Sequence, residues 1–536
     1  VTREPTRAWH LYSVAAAIGL AIYLIVYGPG HLFGTTAYWE MPFQDERQSL
    51  IGYRYFLHEP WHWPLFVSDR INVPYPKSVA FLDCVPLWAF ANKLIATVVP
   101  PWESFSEHAY LGLWHAIVYA LQACFGVAVL RVLGHRSWRA GIVAALFFVS
   151  LPTWIFRYPH AAASAHWLLL WALYLYLRTP PRSPMTRRLG VAWLCQLAVA
   201  ALVYPYHAVI SLAVFVASLA RARQQRSFAI WLPLGLASVL AATALVGYFA
   251  HETGRRQWGF EFESANLLSW LVPVRSGIFG DAQGIATVMG TDWQYEGYAY
   301  LGIGTLLLLV WWHARSLREV IARHAVLFAI VCAFAVLALS NHVYFGSHEI
   351  FSFPIPSFLR WIPNQFRSPG RFVWLPTYVL VAYLLHWGLQ RRFALVAIAT
   401  VLQLIDARGD WALQRANTSG PSGVQLDIAT WRLLVHAHDA VVVLPPYSCR
   451  TGDNVPTLDL ASMDIEMLAS ERALPINGTY SARPWRRCAA EQKAWPTLQP
   501  QPRTLYVLFP PALGIADQLD ARCEDFALGR VCSTAK

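Results

Sequence analysis

Two adjacent carboxylates, Asp45 and Glu46, stand shortly after the first long apolar run, in the segment Pro42-Phe43-Gln44-Asp45-Glu46-Arg47-Gln48-Ser49-Leu50-Ile51. A carboxylate held at a membrane face, beside spans that could seat a lipid tail, suits a general base acting on a membrane-bound substrate. The same spacing has an architectural reading, because Asp45 with Gln48 three residues on is a capping-box pattern with Asp45 as N-cap. Leu50, Ile51, Phe56 and Leu57 predict a helix lying along the membrane surface and stopped at Pro60. Asp83 and Glu296 are further acidic candidates, although Glu296 immediately precedes an apolar run and would serve there as a helix N-terminal charge. His160, His166 and His207 could bind phosphate or a metal, against the commoner structural role of an interfacial histidine as a hydrogen-bonding group. His160 and His166 lack the HExxH spacing of a helical metal site. Trp61, Trp63, Trp258 and Trp293 could stack on sugar faces, a use that competes with the interfacial aromatic belt.

The elements that must position these residues are set by composition. The chain has 536 residues, 56% of them hydrophobic and 14% charged, with a mean hydropathy of +0.37. Ordinary soluble chains are about 25% charged, so disorder, collagen-like, disulfide-scaffold and common soluble-enzyme classes are set aside. Apolar runs near residues 11–31, 110–130, 140–156, 161–177, 189–205, 206–220, 230–250, 298–312, 325–341, 373–388 and 393–406 predict eleven membrane spans. Residues 189–220 would be too long as a single helix crossing a ~30 Å core, so a hairpin turning at Tyr204-Pro205-Tyr206-His207 is expected. The first run lacks a small-residue cleavage site and is read as a retained span.

The net charge of +11 is distributed unevenly. Short segments between alternate runs carry seventeen arginines against two acidic residues, Glu4 and Glu319, which leaves the rest of the chain net acidic. By the positive-inside rule the N-terminus is then cytoplasmic and the C-terminal region extracytoplasmic. Nucleic acid is not an expected partner, because those loops are short and lack aromatic–basic interleaving or zinc-ligand spacing. The fold class expected is an all-α polytopic membrane domain over residues 1–407, with external loops 32–109, 251–297 and 342–372. A small extracytoplasmic α/β domain follows over 408–536.

In that tail, Ala440–Leu444 and Thr504–Phe509 read as buried strands and Leu458–Leu468 as a helix. Its four cysteines favour two disulfides in an oxidising compartment. Cys523–Cys532 is the local pair and Cys449–Cys488 the remainder. A zinc site is the rival reading, which the absence of any CxxC disfavours.

With a long first loop carrying an acidic residue after the first span, about eleven spans and a C-terminal domain, the chain resembles the GT-C superfamily of integral-membrane glycosyltransferases. More narrowly it resembles a bacterial family of uncharacterised GT-C-like membrane proteins. The matching stretches are Asp45…Gln48-Ser49-Leu50-Ile51-Gly52…Pro60-Trp61-His62-Trp63-Pro64-Leu65, Asp83-Cys84-Val85-Pro86-Leu87, Arg157-Tyr158-Pro159-His160…Ala165-His166-Trp167, Glu296-Gly297-Tyr298-Ala299-Tyr300-Leu301-Gly302 and Phe366-Arg367-Ser368-Pro369-Gly370-Arg371-Phe372. The segment departs from that family's Gly-Asp-Pro by reading Gln44-Asp45-Glu46.

The resemblance implies an enzyme of the bacterial cytoplasmic membrane. It would move a sugar, with inversion, from a polyprenyl-phosphate-linked donor to a glycan, lipid or protein acceptor at the outer face. Asp45 or Glu46 would deprotonate the acceptor or help hold a divalent metal ion. The anionic phosphate leaving group calls for fixed cations, and arginine's planar fork grips two oxygens. Arg367 with Arg371 is the leading clamp, with Arg157 and the pair Arg255/Arg256 as further sources and snorkelling to lipid headgroups as the bland alternative. Two other readings are a transporter or flippase of lipid-linked sugars, and a non-catalytic envelope assembly protein. The apolar runs are nearly free of Asp, Glu and Lys, unlike the midplane sites of transporters, which favours the enzyme. No GxSxG, Walker A, GxGxxG or kinase signature is present, so hydrolase, ATPase and nucleotide-cofactor readings have no local support.

Overall fold

The computed structural model describes residues 5–250, 259–281, 289–313, 317–452, 454–483 and 485–534. Each of the eleven apolar runs contains a helix: α1 (Pro5–Leu32), α4 (Pro101–Val132), α5 (Trp138–Val149), α6 (Trp167–Arg178), α7 (Arg187–Val203), α8 (Pro205–Ala222), α9 (Gln225–Val246), α10 (Ile303–Trp311), α11 (Ala325–Ala338), α12 (Trp374–Arg391) and α13 (Phe393–Asn417). Two further helices, α2 (Gln44–His58) and α3 (Pro86–Val98), lie between α1 and α4.

Among the described residues, five helical stretches are long and apolar enough to cross a bilayer: Trp9–Leu32, Pro101–Val132, Pro205–Ala222, Gln225–Val246 and Pro369–Arg391. A sixth is counted if Leu317–Arg323 and Ala325–Ala338, bent by 98° against each other, form one span. By this measure of length and composition the expected eleven spans are not confirmed, only five or six of the helical stretches passing it. The physical reason is length: helices such as α5 and α6, with 12 residues each, rise only ~18 Å against a ~30 Å core. Helix α13 is long enough, but Asp406, Arg408 and Asp410 interrupt its apolar character. The hairpin at 189–220 is present, and Tyr204, in extended backbone (φ −159°, ψ 129°), separates α7 from α8.

Helix α2 departs from its expected place. Every residue from Glu46 to Leu57 is buried, so the helix runs through the protein and does not lie on a membrane surface. Its N-cap is Phe43, which offers no side-chain cap, and Asp45 sits inside the first turn. The capping-box role expected for Asp45 is therefore not taken. The stop is as expected, with Glu59 in extended backbone just before Pro60.

The C-terminal region is an α/β unit. Strands β3 (Ala440–Leu444) and β4 (Thr504–Leu508) pair in parallel, and β5 (Ala521–Phe526) and β6 (Gly529–Thr534) complete the order β3-β4-β6-β5. A parallel pair needs a crossover, and helix α15 (Val455–Ser470) lies in that connection, while α14 (Ile428–His436) precedes β3. Both disulfides are formed: Cys449–Cys488 joins a loop to the first residue of the short helix Cys488–Ala494, and Cys523–Cys532 spans paired positions of β5 and β6.

This region is built into the rest of the molecule. Arg47 of α2 and Asp464 of α15 form an ion pair at 2.5 Å with neither side chain exposed. Ile476 bridges in parallel to both Ile71 and Val441. Lys77 Nζ donates to Ser481 Oγ at 2.6 Å and to the Arg483 carbonyl at 2.7 Å.

Candidate active site

A cavity of about 520 Å³ lies between the α2 region, the α8–α9 pair, the segment before α12 and the C-terminal region. Its polar lining includes Asp45, Asp83, His160, Arg367, Arg371 and Arg483, and its apolar lining Val209, Val239, Phe249, Trp361 and Phe366. Asp45 enters from the first turn of α2. Asp83 follows a short 3-10 turn, Val79–Leu82, and adopts the left-handed region (φ 55°, ψ 14°), which Asp tolerates better than bulkier residues. Ser49 Oγ donates to the Asp83 carbonyl at 3.1 Å and ties that turn to α2.

His160 stands between the two carboxyls, Nε2 lying 3.7 Å from Asp45 Oδ2 and Nδ1 4.0 Å from Asp83 Oδ2. Both gaps exceed hydrogen-bond length. Burial raises the Asp45 carboxyl to about 6, Glu296 adds to the rise, and Arg371, Arg367 and Arg157 limit it. Burial, with the charge of Asp45, raises Asp83 to about 8. Burial and the neighbouring arginines hold His160 well below its ordinary value, so its ring is neutral. Of the two carboxyls Asp45 is thus the more readily ionised and Asp83 the more readily protonated.

Beneath the cavity, Glu296 joins two arginines. Arg371 Nε and one of its terminal nitrogens donate to the Glu296 carboxylate at 2.9 and 2.7 Å, and Arg157 donates to it at 2.6 Å. This contact depends on glycine. A Cβ on Gly370 would sit 2.5 Å from Gly297 Cα, so only bare backbones let Arg371 meet Glu296. Two cations on one carboxylate leave a net positive charge under the cavity, and such a fixed charge favours an anionic guest. Arg371 also donates to Tyr204 Oη and lies over the Tyr204 and Tyr206 rings. Arg367 is looser: its side chain is 40% exposed and 3.6 Å from Glu263.

The structure gathers some of the expected residues and separates others. Asp45, His160, Arg367 and Arg371 share the cavity wall. Glu46 is turned away from it, accepting a hydrogen bond from Tyr38 Oη, with Oε1 3.9 Å from His115. Arg157 is fully buried and braced by Glu296 and by the Tyr295 and Glu296 carbonyls, so it supports the site from behind. Glu296 is that brace rather than a free acid. His166 hydrogen-bonds Tyr378 Oη at 3.0 Å and packs on Trp374 and His207, away from the lining. Trp61 and Trp63 are also elsewhere, Trp61 stacked on Lys93. Arg255, Arg256 and Trp258 lie outside the described residues.

The wall contributed by Tyr447, Tyr480 and Arg483 was not singled out from the sequence. No local spacing marks it, since it reaches the cavity only through the docking of the C-terminal region. The possibility of a metal ion fares poorly on the donor set. Among the described residues no group of three or more His, Cys, Asp and Glu side chains is arranged to hold one, so no metal step is derived.

No functionally curated protein matches the chain. Crystal structures of the Archaeoglobus fulgidus oligosaccharyltransferase are similar at 12% identity with a TM-score of 0.45 for the apo form, covering 89% of this chain and 65% of that one. The form tethered to an acceptor peptide gives 11% and 0.37, covering 90% and 61%. The chain therefore spans less than two thirds of the length of those proteins. A family model described as a domain of unknown function, DUF6311, matches residues 16–408, and the DUF6311 C-terminal domain matches 430–533, so this chain, with Asp45, Arg367 and Arg371 all inside the larger match, belongs to the DUF6311 family.

Proposed function

We propose that the protein is a GT-C-like membrane glycosyltransferase that takes a sugar from a polyprenyl-phosphate-linked donor. The observation that carries this reading is the convergence in one cavity of Asp45, two arginines and an apolar wall supplied by α8 and α9. Such a space suits an amphipathic anionic guest, with the prenyl chain against Val209, Val239 and Phe249 and the phosphate near Arg367 and Arg371.

In the proposed step the Asp45 carboxylate takes the proton of an acceptor hydroxyl or amide. The acceptor atom bonds to the anomeric carbon from the face opposite the phosphate, so the configuration inverts. The carbon–oxygen bond to phosphate breaks, and polyprenyl phosphate leaves with the electron pair. Arg367, the less constrained cation, would follow the phosphate as charge develops, while Arg371 is held by Glu296 as part of a fixed positive field. Tyr447, Tyr480 and Arg483 would face the acceptor or the sugar. The reaction would take place at the outer face of the cytoplasmic membrane.

The test is transfer of radiolabelled sugar from polyprenyl-phosphate donors to membrane acceptors by the purified protein in proteoliposomes. The wild type is expected to transfer, and Asp45→Asn to lose about 10²–10⁴-fold, the usual worth of a general base. Equal transfer by both would remove Asp45 from that role. Donor movement across the bilayer without transfer would favour a flippase.

A further inference from the structure

The segment joining α11 to the span that begins at Pro369 carries bare aromatic side chains on a well-anchored ribbon. Strands β1 (His342–Phe345) and β2 (His348–Ser352) form its hairpin. Buried Asn266 grips the turn, its Nδ2 donating to the Gly346 carbonyl at 2.8 Å and its Oδ1 accepting from the Gly346 N–H at 3.0 Å. Asn341, also buried, donates through Nδ2 to the Phe353 carbonyl at 3.0 Å. Yet Phe345, Ile350, Phe351, Phe353, Phe358 and Trp361 are 42–74% exposed. Six large apolar side chains left exposed within 17 residues are the kind of feature that marks an interaction surface.

We infer that residues 342–361 bed in the interfacial region of the lipid leaflet on the cavity's side of the membrane. Three observations select lipid as the occupant. Neighbouring segments also expose apolar side chains: Val336, in the last turn of α11, is 68% exposed, and Phe249, three residues past α9, is exposed and lines the cavity together with Trp361. The tether is short, because three residues separate α11 from β1 and span only ~10 Å when extended. The composition is that of an interface, rich in Phe with one Trp, and the ribbon's one acidic residue, Glu349, is engaged by His342 at 3.3 Å and by Tyr344 at 3.1 Å. The ribbon thereby sets the cavity mouth at the lipid surface, whichever substrate the cavity takes.

The test uses the full chain in nanodiscs of phosphatidylethanolamine and phosphatidylglycerol doped with a diazirine-bearing phospholipid, with labelled peptides mapped by mass spectrometry. Label is expected on the 342–361 peptide, and it should be lost in the double variant Phe351→Asp/Phe358→Asp while label on α9 persists. Thermal unfolding and intact disulfides establish that the variant is folded. Absence of label on the ribbon in wild type, with α9 labelled, overturns the proposal. So does unchanged ribbon label in the folded variant, or a dimer that shields the ribbon and that the variant dissolves.

Discussion

Asp45 and Glu46 are neighbours in sequence with opposite surroundings, and the difference is testable. Asp45 faces the cavity and titrates near 6, so as a base it is active when deprotonated. The transfer rate should rise with pH through about 6, followed by initial rates in a buffer series. Asp83, raised to about 8, is protonated below that pH, and Asp83→Asn should keep transfer within a few-fold at pH 7. Glu46 is 1% exposed and pushed up to about 8 by burial, against an ordinary 4.5. Between those values the folded chain holds a proton that the unfolded chain releases. That contribution to stability is full at low pH and is lost as pH rises through about 8. Glu46→Gln should therefore leave transfer intact and flatten the fall of apparent Tm with pH, measured by thermal unfolding in detergent. The acidic pair itself was legible from spacing. Which member faces the cavity was not, because one residue of helix turns a side chain by about 100° and the cavity wall comes from distant chain.

At the scale of elements, α2 is the piece that aims Asp45, and α15 holds it. The Arg47 guanidinium donates to Asp464 and, at 2.5 Å, to the Ser422 carbonyl, while Asp464 also accepts from the Gln425 and Leu426 backbones at 2.7 and 3.2 Å. Removing one partner of such a buried pair strands the other charge, at a cost of about 3–5 kcal/mol. Arg47→Met should lower the apparent Tm strongly, and adding Asp464→Asn should recover part of the loss by neutralising the stranded carboxylate while keeping an acceptor for the backbone donors. Equal unfolding of the single and double variants would show that the pair is not coupled. The helical span and stop of α2 were readable from its apolar positions and Pro60. Its burial was not, since Arg47 and Arg54 look like a solvated face until partners more than 400 residues away, Asp464 and Met467, are brought to them. The strands at 440–444 and 504–508 were readable because each is a short apolar run ending at prolines, whereas β5 and β6, with Arg, Glu and Asp among their residues, give no such pattern.

Across the whole molecule, two independent physical signals make a prediction about orientation. Arginine clusters where α8 ends and α9 begins, at Arg221, Arg223 and Arg226, and the positive-inside rule predicts a cytoplasmic side for that turn. The disulfides Cys449–Cys488 and Cys523–Cys532 predict an oxidising compartment for the C-terminal region. The first of them matters for the site, because it ties the loop bearing Tyr447 to the strand of chain that follows Tyr480 and Arg483, three residues of the cavity wall. Both signals predict that alkaline phosphatase fused after Thr534 is active in a bacterial host, while the same enzyme inserted between Ala222 and Gln225 is inactive. They also predict that Cys449→Ser weakens transfer with the protein still folded, since Cys523–Cys532 and the α2–α15 ion pair remain. An inactive C-terminal fusion would put the cavity wall in a reducing compartment. The disulfides would then not persist, and the number of crossings between the α8–α9 connection and the C-terminal region would be even rather than odd.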